Sequence, residues 1–501
     1  MKKMNYVSTR NHNKTVTAAQ AIAAGISSEG GLFVPESFPT LSADDLRALV
    51  PMDYRARAAF VLGRFLTDFS AEEVSACVNA AYTAEKFGDH PAPLQTLHDN
   101  AHILELWHGP TCAFKDMALQ ILPHLMRVSV AKSVPGKEIV ILVATSGDTG
   151  KAALEGFKDA PHTRILVFYP VDGVSPMQKL QMTTQEGNNV AVCAIRGNFD
   201  DAQSGVKAIF TDPAVKEKLA AHDMLFSSAN SINWGRLVPQ VVYYISAYCD
   251  LVQSGKLALG EPMNVVVPTG NFGNILAAYY AMKLGLPVKK FICASNKNHV
   301  LTDFIKTGTY DRRRDFYTTT SPSMDILISS NLERLLFDLT DRDDTAVSAM
   351  MESLRRDGCY TVSDGVREKL QALFAGGFAD DAAVAATIRD TFAAHHYLID
   401  THTAVAVRVY EDYCRETGDK TPTVIASTAN PYKFSASVLA ALGAEHPDAD
   451  EFEKVALLQE HTGVPAPQSL LSLREKPVRF PQVCDRNGQR DVVYAMLGIK
   501  A

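Results

Sequence analysis

The segment His108-Gly109-Pro110-Thr111-Cys112-Ala113-Phe114-Lys115-Asp116 places a lysine after an aromatic residue and a run of small ones. An apolar setting strips part of a lysine's proton affinity and makes the amine an imine-forming nucleophile. A bare Phe-Lys-Asp tripeptide is equally what an ordinary exposed lysine beside an acid looks like. Its weight therefore depends on the segments that accompany it.

Pro268-Thr269-Gly270-Asn271-Phe272-Gly273-Asn274 lies between a strand pattern and a helix pattern. Glycines let a backbone come close to a ligand, so that successive N–H groups can converge on one anion. The helix that follows adds its positive end. This is a phosphate cradle in form, though without the Gly-Lys-Ser/Thr of a Walker loop or the G-x-G-x-x-G of a dinucleotide site. The competing reading is a plain strand-to-helix turn with asparagine caps. Thr145-Ser146-Gly147-Asp148-Thr149-Gly150 offers hydroxyls and N–H groups at another helix start, suited to a carboxylate. Helix capping uses the same donors, and the sequence leaves both readings open.

Two further segments are less specific. Ser427-Thr428-Ala429-Asn430-Pro431-Tyr432-Lys433-Phe434 follows a strand, where a hydroxyl can bond a heterocycle nitrogen or simply cap a helix. Ser228-Ala229-Asn230-Ser231-Ile232-Asn233-Trp234-Gly235-Arg236 mixes amide, hydroxyl and guanidinium groups that suit a phosphate monoester, or form a polar loop with a surface arginine.

The elements around these segments predict how they are positioned. Ile139–Val143 is a β-branched run of the kind buried on both faces of a parallel sheet. Arg164–Tyr169, Val190–Ile195, Asn264–Val267, Phe291–Ala294 and Thr423–Ala426 read as further strands, with helices from Lys151 and over Ile275–Leu284. This rhythm predicts an α/β protein with two open, mostly parallel sheet domains. Ligands of such sheets bind at the carboxyl ends of strands, where the polar segments sit. Residues 1–98 form a separate N-terminal α+β unit, with a turn and short extended piece at Gly30–Pro35, helices over Ala43–Leu49 and Ala71–Ala81, and a breaker-rich boundary at Phe87–Pro93. The expected division is 1–98, a large cofactor domain of 99–115 and 235–501, and a small domain of 116–234. Asp341 to His396 reads as helical with little chemistry, and no motif anchors the chain after about residue 435.

Composition excludes several classes. The chain has 501 residues, 47% apolar and 21% charged, which is ordinary for a globular protein. A net charge of -7 argues against non-specific nucleic-acid binding. Eight cysteines are scattered without a C-x-x-C pair, so neither a zinc site nor a disulfide framework is expected, and no metal is predicted. Lys2 and Lys3 are followed by a polar run instead of an apolar signal core, and no apolar stretch is long enough for a bilayer. A cytoplasmic location, no membrane partner, and a monomer or homodimer are the expectations.

In their order along the chain, these motifs resemble the threonine synthases, of the tryptophan-synthase-β-like group of pyridoxal-phosphate enzymes (fold type II). The start Tyr6-Val7-Ser8-Thr9-Arg10 and Gly30–Pro35 resemble the bacterial and fungal type, which has its own N-terminal domain. Asn430 departs from that type, in which histidine is common. The resemblance implies pyridoxal 5'-phosphate as cofactor, joined to Lys115 as a Schiff base. It implies that Gly270, Asn271, Phe272, Gly273 and Asn274 hold the cofactor phosphate, that Thr428 meets the ring nitrogen and that Asp148 lies near the ring hydroxyl. Thr145, Ser146, Gly147 and Thr149 are expected to receive the substrate carboxylate. Asn230, Ser231 and Arg236, with Lys179, are expected at the substrate phosphate. The implied reaction is O-phospho-L-homoserine plus water giving L-threonine and phosphate, with Lys115 as the catalytic base. The rivals are a related dehydratase or phospho-amino-acid lyase and, more remotely, a non-catalytic nucleotide-binding α/β protein.

Overall fold

The computed structural model describes residues 3–500 apart from Asp99, Ser146 and Gly173, with the side chains of Phe199 and Asp200 left out. Two sheets dominate. The larger has the order β14 (Phe374–Phe378), β11 (Val288–Ser295), β10 (Met263–Pro268), β15 (Thr423–Ser427), β5 (Ala101–Glu105), β4 (Leu94–His98). Its strands are parallel except β4, which pairs antiparallel with β5 at the edge. The central strands β10, β15 and β5 are buried along their whole length, as expected of a sheet covered on both faces. Their carboxyl ends lead directly into the Gly270, Thr428 and Lys115 segments.

The second sheet has the order β16 (Val483–Asp485), β8 (Val190–Arg196), β7 (Thr163–Pro170), β6 (Glu138–Ala144), β9 (Met224–Ser227), all parallel. The carboxyl end of β6 opens into the Thr145–Gly150 turn. The helix that follows begins at Asp148, ahead of the expected Lys151, and the helix after β10 begins at Gly273, ahead of Ile275. In both cases backbone geometry starts the helix within the turn.

The N-terminal unit contains a small antiparallel sheet of β2 (Asn11–Val16), β1 (Tyr6–Ser8) and β3 (Phe33–Pro35), with helices packed beside it. It is not an appendage. Tyr6 and Phe65 pack on Trp234, with ring centroids 5.1 and 5.6 Å away, at the start of the long buried helix Trp234–Gln253.

Two expectations need correction. The stretch Asp341 to His396 is not wholly helical, because Cys359–Thr361 pairs antiparallel with Thr309–Asp311 and β14 forms the edge of the large sheet. The β14 sequence, Phe-Ala-Gly-Gly-Phe, lacks β-branched residues. Its glycines serve close approach: a Cβ at Gly377 would sit 2.7 Å from Val409 Cγ1, and one at Gly376 3.0 Å from Thr302 Cα. The large unit also does not hold all of 235–501. Strand β16 extends the small sheet, and Val493, Tyr494 and Leu497 of the helix Gln489–Leu497 share a core with Val140, Leu166 and Phe168. An exposed three-residue strand and a short helix have too little pattern to declare their partner. Among the described residues, no helix is long and apolar enough to cross a membrane.

Candidate active site

The lysine segment is folded tightly upon itself. Asp116 accepts the N–H of Thr111 on Oδ2 and its hydroxyl on Oδ1, both at 2.7 Å. A Cβ at Gly109 would fall 2.4 Å from that of Asp116, so glycine is required there. Burial pushes the Asp116 carboxyl up to about 6, although the Thr111 bonds and Lys433 pull the other way. The segment is laced to the end of β15: Phe114 N–H donates to Thr428 O at 2.8 Å, and Asn430 N–H to Cys112 O at 3.1 Å. Lys115 and Thr428 are thereby held on adjacent backbone.

Lys115 is largely buried, and its Nζ lies 3.7 Å from Asp148 Oδ2. Burial lowers its proton affinity below that of an ordinary lysine; Asp148 opposes the shift, and the positive charges of Lys433 and Arg236 add to it. Asp148 in turn is bonded through Oδ1 to Lys433 Nζ at 2.6 Å and to Gln178 Nε2 at 2.9 Å. Burial disfavours the Asp148 carboxylate, but Lys433 and Lys115 overcome it and hold the group well below the usual range. Lys433 has no solvent exposure at its side chain and also donates to Thr111 O at 2.9 Å. Arg236 is buried, donates to Ala229 O at 2.5 Å, and leaves Nε without a partner; burial pushes it down to about 10.

The loop after β10 carries no charged side chain. Ser329 Oγ donates to Gly270 O at 2.6 Å, and Asn331 N–H to Asn271 O at 3.0 Å. In trans peptides these bonds turn the N–H groups of Asn271 and Phe272 to the opposite side of the loop. Phe272 adopts the left-handed conformation (φ 64°), costly for a bulky residue and sustained here by packing of its ring beside Phe374 at 5.9 Å. No side chain caps the helix Gly273–Leu284. Asn274 accepts the Tyr244 hydroxyl, while its own buried Nδ2 has no partner, nor does Nδ2 of Asn331, 3.3 Å from where a Gly273 Cβ would lie. Uncapped N–H groups and orphaned amide donors at one turn fit an oxyanion such as a phosphate. A buried, amine-bearing Lys115, tied through Phe114 to the end of the intervening strand β15, fits the aldehyde of the same cofactor.

Residues 5–82 match the family model described as threonine synthase N terminus, 88–365 that of pyridoxal-phosphate dependent enzymes, and 403–490 that of the threonine synthase C-terminal region. The threonine synthase of Pseudomonas aeruginosa is 38% identical over 444 residues, covering 87% of this chain and 90% of its own. The chain belongs to the threonine synthase family. Its cofactor is pyridoxal phosphate, as in the solved PLP-bound threonine synthase from Brucella melitensis, which matches with a TM-score of 0.88 and 36% identity over 99% of this chain and 100% of that one. Yeast threonine synthase matches with a TM-score of 0.88 and 31% identity, over 99% of both chains. Threonine synthase-like 1 of Homo sapiens is 40% identical over 91% of this chain, which spans 62% of that relative's length.

Within this threonine synthase-family chain, the expected site residues are placed unequally. Lys115, Asp148 and Arg236 share one buried electrostatic cluster, and Thr428 and Gly270–Asn274 lie at neighbouring strand ends. Thr145 spends its hydroxyl on its own turn, accepting N–H groups of Gly147 and Gly150 at 3.0 Å each. Gly147, at φ 147°, has no room for a Cβ beside the Gln178 amide, and Thr149 is half-buried. Ser146 lies outside the described residues. Asn230 is exposed and Ser231 half-buried in the loop before Trp234. Lys179 is exposed; its neighbour Gln178 is the residue that reaches Asp148. A separate cavity of about 390 Å³, lined in part by Trp107, His108, Cys112, Tyr397 and Asn430, does not include Lys115.

Several important residues had no sequence signal of their own. Lys433 stood within the Ser427–Phe434 segment without a role. Gln178, Asn331, Glu333 and Arg334 lie far from the motifs in sequence. Arg334 joins three parts: it donates to Phe33 O (3.0 Å) in the N-terminal unit, to Ile232 O (2.6 Å) before Arg236, and to Asn331 Oδ1 (2.5 Å) behind the glycine loop.

Proposed function

We propose that the chain converts O-phospho-L-homoserine and water to L-threonine and phosphate, with the cofactor on Lys115. The observation that carries this reading is a buried Lys115 beside Asp148, laced to the end of β15, with an uncharged oxyanion cradle after β10, the next strand of the same sheet. Bound pyridoxal phosphate supplies an electron sink for negative charge left at the substrate's Cα.

The chain's own residues supply the rest. The N–H groups of residues 271–274 and the free Asn274 amide are the cofactor-phosphate ligands, and Thr428 is the hydroxyl for the ring nitrogen. A neutral hydroxyl there does not force a proton onto that nitrogen as a carboxylate does. Asp148, 3.7 Å from the Lys115 amine, is the residue assigned to the ring hydroxyl. Lys115 would hold the cofactor and, when not joined to it, would move protons at the substrate's Cα; burial lowers its proton affinity below that of an ordinary lysine. The Thr145–Gly150 turn receives the substrate carboxylate through backbone N–H groups and the Ser146 and Thr149 side chains, because the Thr145 hydroxyl is engaged within the turn. Arg236 is the buried cation for the departing phosphate, with Asn230, Ser231 and Lys179 nearer solvent.

Borohydride reduction of the yellow protein, followed by peptide mapping, tests the assignment: the label is expected on Lys115, and Lys115→Ala is expected to fold yet lose at least about 1,000-fold in turnover. A label on any other lysine sinks the reading. Product analysis separates the reaction from its rivals. Phosphate released with stoichiometric threonine supports the synthase, 2-oxobutyrate a dehydratase or lyase, and a colourless inactive protein a binding role.

A further inference from the structure

The charges around Lys115 do not form a simple pair. Asp148 is shared between two lysines, and unequally. Its Oδ1 is saturated by Lys433 Nζ at 2.6 Å and Gln178 Nε2 at 2.9 Å, whereas Oδ2 stands 3.7 Å from Lys115 Nζ, beyond hydrogen-bond length. Lys433 is locked in turn, because its second bond goes to Thr111 O at 2.9 Å in the same turn that Asp116 closes. No solvent reaches the Lys433 side chain.

We propose that Lys433 is a positioning residue of the catalytic centre, which competes for Asp148 and so keeps the Lys115 amine only loosely held by that carboxylate. The inference rests on Lys115 being the cofactor lysine. A carboxylate gives its strongest charge-assisted bond to the nearer ammonium. Were Lys433 neutral, Asp148 would turn wholly to Lys115 and hold it as an ammonium, a form unable to attack an aldehyde. The second positive charge acts in the same direction by disfavouring another ammonium beside it. Among the described residues, Asp148, Asp116, Cys112 and Arg236 face this cluster, with Glu155 and Lys151 beyond Asp116; Asp116 and Arg236 are engaged with Thr111 and Ala229, and Lys151 with Glu155. None of them replaces Lys433 at Asp148 Oδ1.

The test is made on the cofactor-free full chain. Competitive acylation with acetic anhydride across pH, read by mass spectrometry of the Lys115 peptide, gives the midpoint of that amine. The wild type is expected to titrate below the free-lysine value of about 10.4. Lys433→Met is expected to raise the midpoint by about one pH unit, with about a tenfold slower uptake of pyridoxal phosphate at neutral pH that recovers at higher pH. Lys433→Arg, which keeps the charge, is expected to stay close to wild type. A merely structural lysine would slow uptake equally at every pH and leave the midpoint in place, and that result overturns the proposal. Should Lys433→Met fail to fold, Lys433→Gln serves instead: its amide keeps a donor for Thr111 O without the charge, and the midpoint must rise above wild type. An unchanged midpoint there overturns the proposal equally. Because acylation is read without cofactor or substrate, its failure is distinct from a borohydride label that maps elsewhere.

Discussion

The turns after β6 and β10 share one plan and differ in how they are charged. Both run from a buried parallel strand into a helix whose first turn has no side-chain N-cap. The turn after β10 has no charge of its own, and its carbonyls are pulled away by Ser329 and Asn331. The turn after β6 brings Asp148 into its helix start, where the helix dipole favours a carboxylate. The first turn is therefore a standing oxyanion cradle. The second already holds an anion, Asp148, whose charge Lys433 and Lys115 offset. Backbone geometry alone shapes the first turn; side-chain charges balance the second.

The same contrast extends to what stands behind each turn. The cradle is buttressed from the N-terminal unit, where Thr9 donates to Glu333 at 2.6 Å and Arg10 grips both its oxygens at 2.9 and 2.7 Å, two residues after Asn331. The charged turn is buttressed by Lys433 and Gln178.

Removing the charge from the second turn is the strongest way to break the contrast. Asp148→Ala leaves Lys433 buried and unpaired, and is expected to cost about 3–5 kcal/mol by chemical denaturation; a change under about 1 kcal/mol would mean the turn does not depend on charge balance. Asp148 is held below the usual range, so its contribution is present above about pH 4 and is lost as the pH falls through the lowered value. The variant should lack that acid limb.

Gly270→Ala tests the backbone side of the contrast. Its Cβ would meet Ser323 O, a backbone atom, at 2.6 Å, so the loop must shift, at about 1–3 kcal/mol. Cofactor affinity in a fluorescence titration should weaken at least about tenfold, while the Lys115 acylation midpoint stays put. Movement of both together would show that the two turns are not independent.

Arg10→Met sharpens the comparison most gently. Loss of the Glu333 grip should cost about 1–2 kcal/mol and loosen the cradle, read as a faster cofactor off-rate with the Lys115 titration unchanged. An off-rate equal to wild type would remove the N-terminal unit from the account of the cradle.

Much of this was legible in the residues. The Val and Ile runs of β6 and β10 announce strands buried on both faces, and the glycine-rich turns after them mark strand ends that bind ligands. The β14 edge strand was not legible, because its Gly376 and Gly377 answer to neighbouring helices and not to a strand pattern. Nor was the return of the chain to the small sheet, since β16 is short and its partner β8 lies almost three hundred residues earlier.

The order of residues alone says which groups are available: an amine at 115 in an apolar segment, a glycine turn at 270, a carboxylate at 148 in the turn before a helix. Local chemistry and periodicity suffice for that, because they act over a few neighbouring residues. Which charges meet was decided only by the tertiary structure. Lys433 reaches Asp148 across 285 residues of chain because two separate sheets present their strand ends to one cleft. The strength of each charge there depends on burial and distance, and neither is written in the order of the residues.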